Sequence, residues 1–182
     1  SIALPQLTAA RRLQRLSALP RQVLSQLRLA RQQAMSRRRA VTFQYDDQRK
    51  QIVMIAHQET GVAVLTDPNY PNTAGSTQLS FTMLTGDGIT ASDISYGIPS
   101  GLPLGALGDG TTLSPLSVNR KVNITFQPDG SVIGANGQPV DSALFFYNAT
   151  LTKETASAVS ILGSAGRVKI WRYNWSVNQY AE

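Results

Sequence analysis

The chain has 182 residues, no cysteine, one histidine, a formal charge of +6 and a pI near 10.0. That composition excludes a disulfide framework, a thiolate zinc site, a cysteine nucleophile and any multi-histidine metal centre. With 42% apolar residues, it has enough material for an ordinary globular core.

The charge is lopsided. Residues 1–39 hold nine arginines and no acid, whereas the remainder holds eight basic and eleven acidic residues. A pI near 10 usually suggests nucleic acid or anionic lipid, but here the basicity belongs to one segment. No run of 18 apolar residues is present to span a membrane. The chain opens on Ser1-Ile2-Ala3-Leu4-Pro5 without an initiator methionine, which reads as the tail of a longer apolar segment.

From Leu7 to about Arg39 the periodicity predicts a helix. Leu16, Val23, Leu27 and Ala34 share a narrow arc, flanked by Leu13, Leu19, Leu24 and Ala30. Pro20 lies inside this segment and predicts one kinked helix rather than two. From Val41 the period switches to two. Val41–Tyr45 and Gln51–Ala56 read as a hairpin about a turn at 46–48. Val62–Leu65 and Leu79–Leu84 read as a further strand pair around the turn-forming loop 67–72. Residues 86–116 read as a long irregular excursion of the kind that carries function or moves. Val122–Phe126, the Asp129-Gly130 turn and Ser131–Ile133 predict another hairpin. Leu144–Tyr147, Ala158–Leu162 and a last strand over Arg167–Trp175 complete the pattern. The expected fold class is α+β: an N-terminal helix over residues 1–39 and a β-rich head over 40–182.

No catalytic constellation emerges, and the chain is expected to be neither an enzyme nor a cofactor binder. His57 lacks a nucleophile context and reads as a satisfied structural residue. Asp46 and Asp47 read as a turn; Asp87 and Asp93 lack the spacing of a calcium loop. The last strand is more informative. Alternation puts Arg167, Lys169, Trp171, Tyr173 and Trp175 on one face, the interleaving of cations and aromatics that suits nucleic acid. The competing reading packs Trp171 and Trp175 beneath the helix and leaves Arg167 and Lys169 as solvated edge charges.

Three segments carry a family resemblance. Leu27-Arg28-Leu29-Ala30-Arg31-Gln32-Gln33-Ala34, running through Arg37-Arg38-Arg39 into Val41-Thr42-Phe43, resembles the helix-to-strand junction of the GspH/FimT family of minor pilin-like proteins (pseudopilins). Ile124-Thr125-Phe126-Gln127-Pro128-Asp129-Gly130 and Gly166-Arg167-Val168-Lys169-Ile170 resemble that family's later strand-and-turn and closing-strand motifs. The loop 86–116 has no counterpart.

The resemblance implies a helix packed on antiparallel sheets and an upstream prepilin peptidase site. It also implies an upstream apolar segment that anchors the protein in the inner membrane, with the head in the periplasm. The implied role is assembly of a type II secretion pseudopilus or type IV pilus, at or near its tip. The implied partners are other filament subunits, the inner membrane, and secreted cargo or DNA. Leu16, Val23 and Leu27, with Arg31, Arg37, Arg38 and Arg39, are the candidate helix interface. Arg11, Arg12 and Arg15 would meet lipid headgroups or acidic neighbours. Some family members bind DNA through a Gly-Arg-x-Arg motif. The matching positions here are Gly166, Arg167, Val168 and Lys169, so Arg167 and Lys169, helped by Arg172 or Lys121, are the candidate DNA contacts. Lysine in the last of these positions neutralises a phosphate without gripping it bidentately.

Overall fold

A computed structural model describes residues 3–103 and 105–182. Helix α1 runs without interruption from Ala3 to Arg37, with Pro20 inside it. Its end is a Schellman turn: the Arg38 N–H reaches the Met35 carbonyl (3.4 Å) and the Arg39 N–H the Ala34 carbonyl (3.2 Å). Arg38 takes the left-handed conformation (φ 52°) where glycine is usual, so helix and first strand are joined by three successive exposed arginines.

The stripe does what its spacing predicts. Leu16, Leu19, Val23, Leu27, Ala30 and Ala34 are buried, the last four with no exposed surface. They pack on two antiparallel sheets. The first has the order β3-β2-β1-β5, built from β1 (Val41–Asp46), β2 (Gln51–Ala56), β3 (Thr77–Met83) and β5 (Lys121–Phe126). The second has the order β4-β6-β7-β8-β9. Its strands are β4 (Ser95–Tyr96), β6 (Ser142–Tyr147), β7 (Ser157–Leu162), β8 (Arg167–Asn174) and β9 (Gln179–Ala181). One core joins the helix stripe to Phe43, Tyr45, Ile52 and Phe126 of the first sheet and to Leu144, Val159 and Val168 of the second.

Four sequence expectations need correction. Val62–Thr66 is a short helix, α2, not a strand. Its entry is set by Gly61 (φ 70°), whose N–H donates to the Gln127 side chain at 2.7 Å, and only Val64 is buried, so no sheet edge recruits the segment. Ser131–Ile133 makes isolated bridges rather than a strand, because the Val132 N–H turns to the Gly163 carbonyl (2.7 Å) and ties the two sheets together. Arg167–Asn174 is not the last strand; β9 pairs with its second half. Trp171 and Trp175 do not lie beneath the helix. Trp171 is buried on the opposite sheet face with Leu107, Phe145 and Ala158, and Trp175 is 40% exposed.

The segment 86–116 is irregular but packed. Asp93 caps a single 3-10 turn and accepts from Arg12, and the Asn148 amide donates to its carbonyl at 2.9 Å. Tyr96 stacks on Tyr45, and Leu107 covers the outer face of the second sheet. The Trp171 indole N–H and Asp109 converge on the Ser160 hydroxyl (2.8 and 2.5 Å), which ties the loop to β7 and β8.

Two buried polar clusters stiffen the first sheet. Asp47 accepts from Lys50 (2.5 Å), Arg120 and the Tyr45 hydroxyl (2.9 Å). Burial alone would raise this carboxyl, but these hydrogen bonds outweigh it and hold Asp47 below its ordinary value. His57 sits in a chain of hydroxyls: Nδ1 meets Thr73 (2.9 Å) and Nε2 meets Thr42 (2.7 Å). Thr42 continues to Thr125, which also meets the Tyr70 hydroxyl, both at 2.7 Å. Burial pushes the His57 pKa down, against a smaller opposing pull from Asp67.

The three motif segments meet at one point. The Arg31 Nε donates to the Gly130 carbonyl at 3.2 Å, and Gly166 (φ 58°) lies against that same carbonyl. A Cβ at Gly166 would fall 1.8 Å from the Gly130 oxygen and 2.8 Å from the Arg31 Nε. Gly166→Ala is therefore expected to cost about 2–5 kcal/mol from left-handed strain and overpacking combined. Gly88→Ala, with positive φ but nothing within 4 Å, should lose only the conformational part. Paired thermal melts check this, and equal losses would refute the close-packing account.

His57 yields a pH dependence. Unfolded, it titrates at its ordinary value of 6.5; folded, it is held lower. Below pH 6.5 the unfolded state therefore binds more protons, and stability falls with pH by at most about 1.4 kcal/mol per unit. Melting temperatures between about pH 7.5 and 5 should fall less steeply in His57→Gln than in the parent. Unchanged slopes would assign the effect to carboxylates.

Candidate functional site

The exposed side of α1 is strongly basic. Arg11, Arg21, Arg28 and Arg37 are exposed on it, Arg38 and Arg39 just beyond its end, and no acid lies on the helix. The other helix arginines are occupied. Arg12 pairs with Asp93, and Arg15 donates to the Asp87 carbonyl, with its carboxylate 3.7 Å away. Asp87 and Asp93, the two loop acids weighed from the sequence as calcium ligands, are thus partners of the helix. Burial would raise the Asp93 carboxyl, yet hydrogen bonds from Thr90 and Arg12 hold it low. Arg37 is braced by Gln33 (2.7 Å) and Arg39 reaches Gln58 (3.2 Å), so these two are oriented outward by neutral partners.

Leu16, Val23 and Leu27 are 0–4% exposed, inside the protein's own core. What α1 presents to another molecule is therefore mainly its arginine-bearing face, on which Leu7, Leu29 and Met35 are also exposed. Arg31 is half-buried, and its Nε serves the Gly130 turn.

The four candidate DNA contacts are not one cluster. Arg172 points to the helix, donating to the Ser17 carbonyl at 3.0 Å. Lys121 lies on the first sheet, with Asp46 3.7 Å away. Arg167 and Lys169 do come together, along a groove of about 1100 Å³ between α1 and the first half of β8. Leu24, Val168 and Ile170 contribute apolar floor to this groove, and Arg28 and Arg31 line its helix side. Lys169 pairs with Glu182 and lies 5.4 Å from the Trp171 ring centroid. Trp171 and Tyr173 are buried, so neither offers a face for a base to stack on. Trp175 is tied by its indole N–H to the Lys153 carbonyl (2.9 Å). Among the described residues, no helix is long and apolar enough to cross a membrane.

Sequence reasoning missed the groove because it joins residues more than 130 positions apart. The only local signal was the Gly166-Arg167 pair that opens its strand wall.

The chain is similar to two crystal structures of the type IV minor pilin FimU of Pseudomonas aeruginosa (strain PAO1). The first is 17% identical, with 90% of this chain and 91% of that chain covered and a TM-score of 0.49. The second is 14% identical, with 84% and 90% covered and a TM-score of 0.48. No curated protein matches the chain. A family model described as "Type II transport protein GspH" matches residues 21–166, which takes in the second half of α1, both sheets' central strands and Gly166. The chain therefore belongs to the GspH family and is a minor pseudopilin-like protein, a structural component of a pilus or pseudopilus.

Proposed function

We propose that this subunit sits at or near the tip of its filament and primes assembly, in a type II secretion pseudopilus or a type IV pilus. It is anchored in the inner membrane by an upstream apolar segment before it enters the filament, and its head faces the periplasm. The observation that carries this reading is the division of labour on α1. The apolar stripe is spent inside the chain, while the opposite face is arginine without acid. Such a face repels its own kind and recruits neighbours with acidic surfaces, giving orientation and partner choice more than raw affinity.

The absence of cysteine makes the test clean. Arg21→Cys on the outer face should cross-link to other filament subunits in the envelope of the native host. Ala30→Cys, with no exposed surface, should not. Cross-linking from neither position, in cells that assemble the filament, would overturn the reading.

A second reading, DNA capture, is favoured by the adjacency of Arg167 and Lys169 in a groove that also holds Arg28 and Arg31. It predicts salt-dependent retardation of duplex DNA that Arg167→Ala plus Lys169→Ala weakens several-fold. Affinity unchanged by the pair would dismiss a DNA site on β8.

A further inference from the structure

The groove has a second property, carried by backbone. The Tyr173 N–H donates to the Ala156 carbonyl on the β7 side at 3.0 Å. Antiparallel alternation then directs the backbone groups of Arg167, Lys169 and Trp171 toward β7. Those of Val168 and Ile170 point the other way, toward the position that β9 occupies farther along. β9, however, pairs only with Arg172, Tyr173 and Asn174. Among the described residues, no strand pairs with Arg167–Trp171 on that side. The first half of β8 is an open edge at the wall of the groove.

An open edge is ordinarily a liability, because any extended chain can pair with it. Here its surroundings select what pairs. Among the described residues, Arg28 and Arg167 carry no ion pair and Glu182, held by Lys169, is the only acid lining the groove. Leu24 and Ile170, both half-buried, offer apolar contact to the side chains on one face of an incoming strand. A second copy of this edge would bring arginine against arginine, so self-pairing is disfavoured by the same charges.

We propose that the open edge of β8 captures an extended, acidic segment of a neighbouring protein by strand addition. Main-chain hydrogen bonds to Val168 and Ile170 supply the affinity. Arg28 and Arg167 select for carboxylates, and the apolar floor takes the alternate side chains. That the segment comes from another filament subunit rests on the function proposed above; strand capture itself does not.

The probe is a capped hexapeptide alternating glutamate and valine, with the lysine–valine peptide as control, added to the intact chain. Amide exchange should slow at Val168 and Ile170 with the glutamate peptide and not with the lysine peptide. Arg28→Glu plus Arg167→Glu, both exposed and expected to melt like the parent, should weaken peptide binding about tenfold. No slowing at these two amides, or slowing elsewhere alone, overturns the proposal. So does a duplex DNA fragment that occupies the groove while the peptide does not. Helix cross-linking in the filament with no peptide binding would refute strand capture and leave the assembly role standing. Peptide binding without any cross-link would do the reverse.

Discussion

Everything in this molecule depends on one buried stripe. Val23, Leu27, Ala30 and Ala34 have no exposed surface, and they face two sheets at once. Alanine at the two C-terminal positions lets the sheets approach the helix axis closely, while leucine and valine fill the wider space toward the middle. The sheets touch elsewhere, as where Tyr45 packs edge-on against Phe146, but the helix gives them a shared core. Packing of this stripe, more than helix propensity, is what fixes the position of the 35-residue helix.

How much of this was legible depends on the range of the interactions involved. The stripe and the hairpin of β1 and β2 were readable, because period and turn chemistry are local. Val62–Thr66 was misread because its apolar run resembles a strand, and only the tertiary context, Gly61 held by Gln127, decides otherwise. The segment 86–116 looked unstructured because its anchors are single residues paired with distant ones: Asp93 with Arg12 and Asn148, Asp109 with Ser160. The motif resemblance has a physical counterpart. Its three segments converge at Arg31, Gly130 and Gly166, a close backbone approach that accounts for two glycines and one arginine on packing grounds alone. Arg172 and Lys121 were grouped with Arg167 by charge, but Arg172 alternates to the other face of β8, against the helix, and Lys121 lies on the first sheet.

The charge asymmetry of the sequence also changes meaning in three dimensions. Nine arginines in residues 1–39 against an acidic head suggested two separate electrostatic surfaces. Instead, Asp87 and Asp93 of the loop are drawn back onto Arg15 and Arg12, which fastens the loop to the N-terminal half of the helix. The exposed pair carries little energy and the buried Asp93 more, since a carboxylate so enclosed cannot lose its partners without penalty. What remains for other molecules is a narrower set: the arginines of the outer helix face and those along the β8 groove.

Lacking cysteine, the head has to hold its edges by other means. The far end of the first sheet is tied by Asp47, which binds Lys50 within its own turn and Arg120 before β5. The near end is tied by the hydroxyl chain through His57, which fastens the loop after α2 to β1 and β5. The second sheet is sealed on its outer face by the packed loop and along part of its last edge by β9. The unpaired stretch of β8 lies beside the arginine helix, where an incoming strand meets positive charge on both sides.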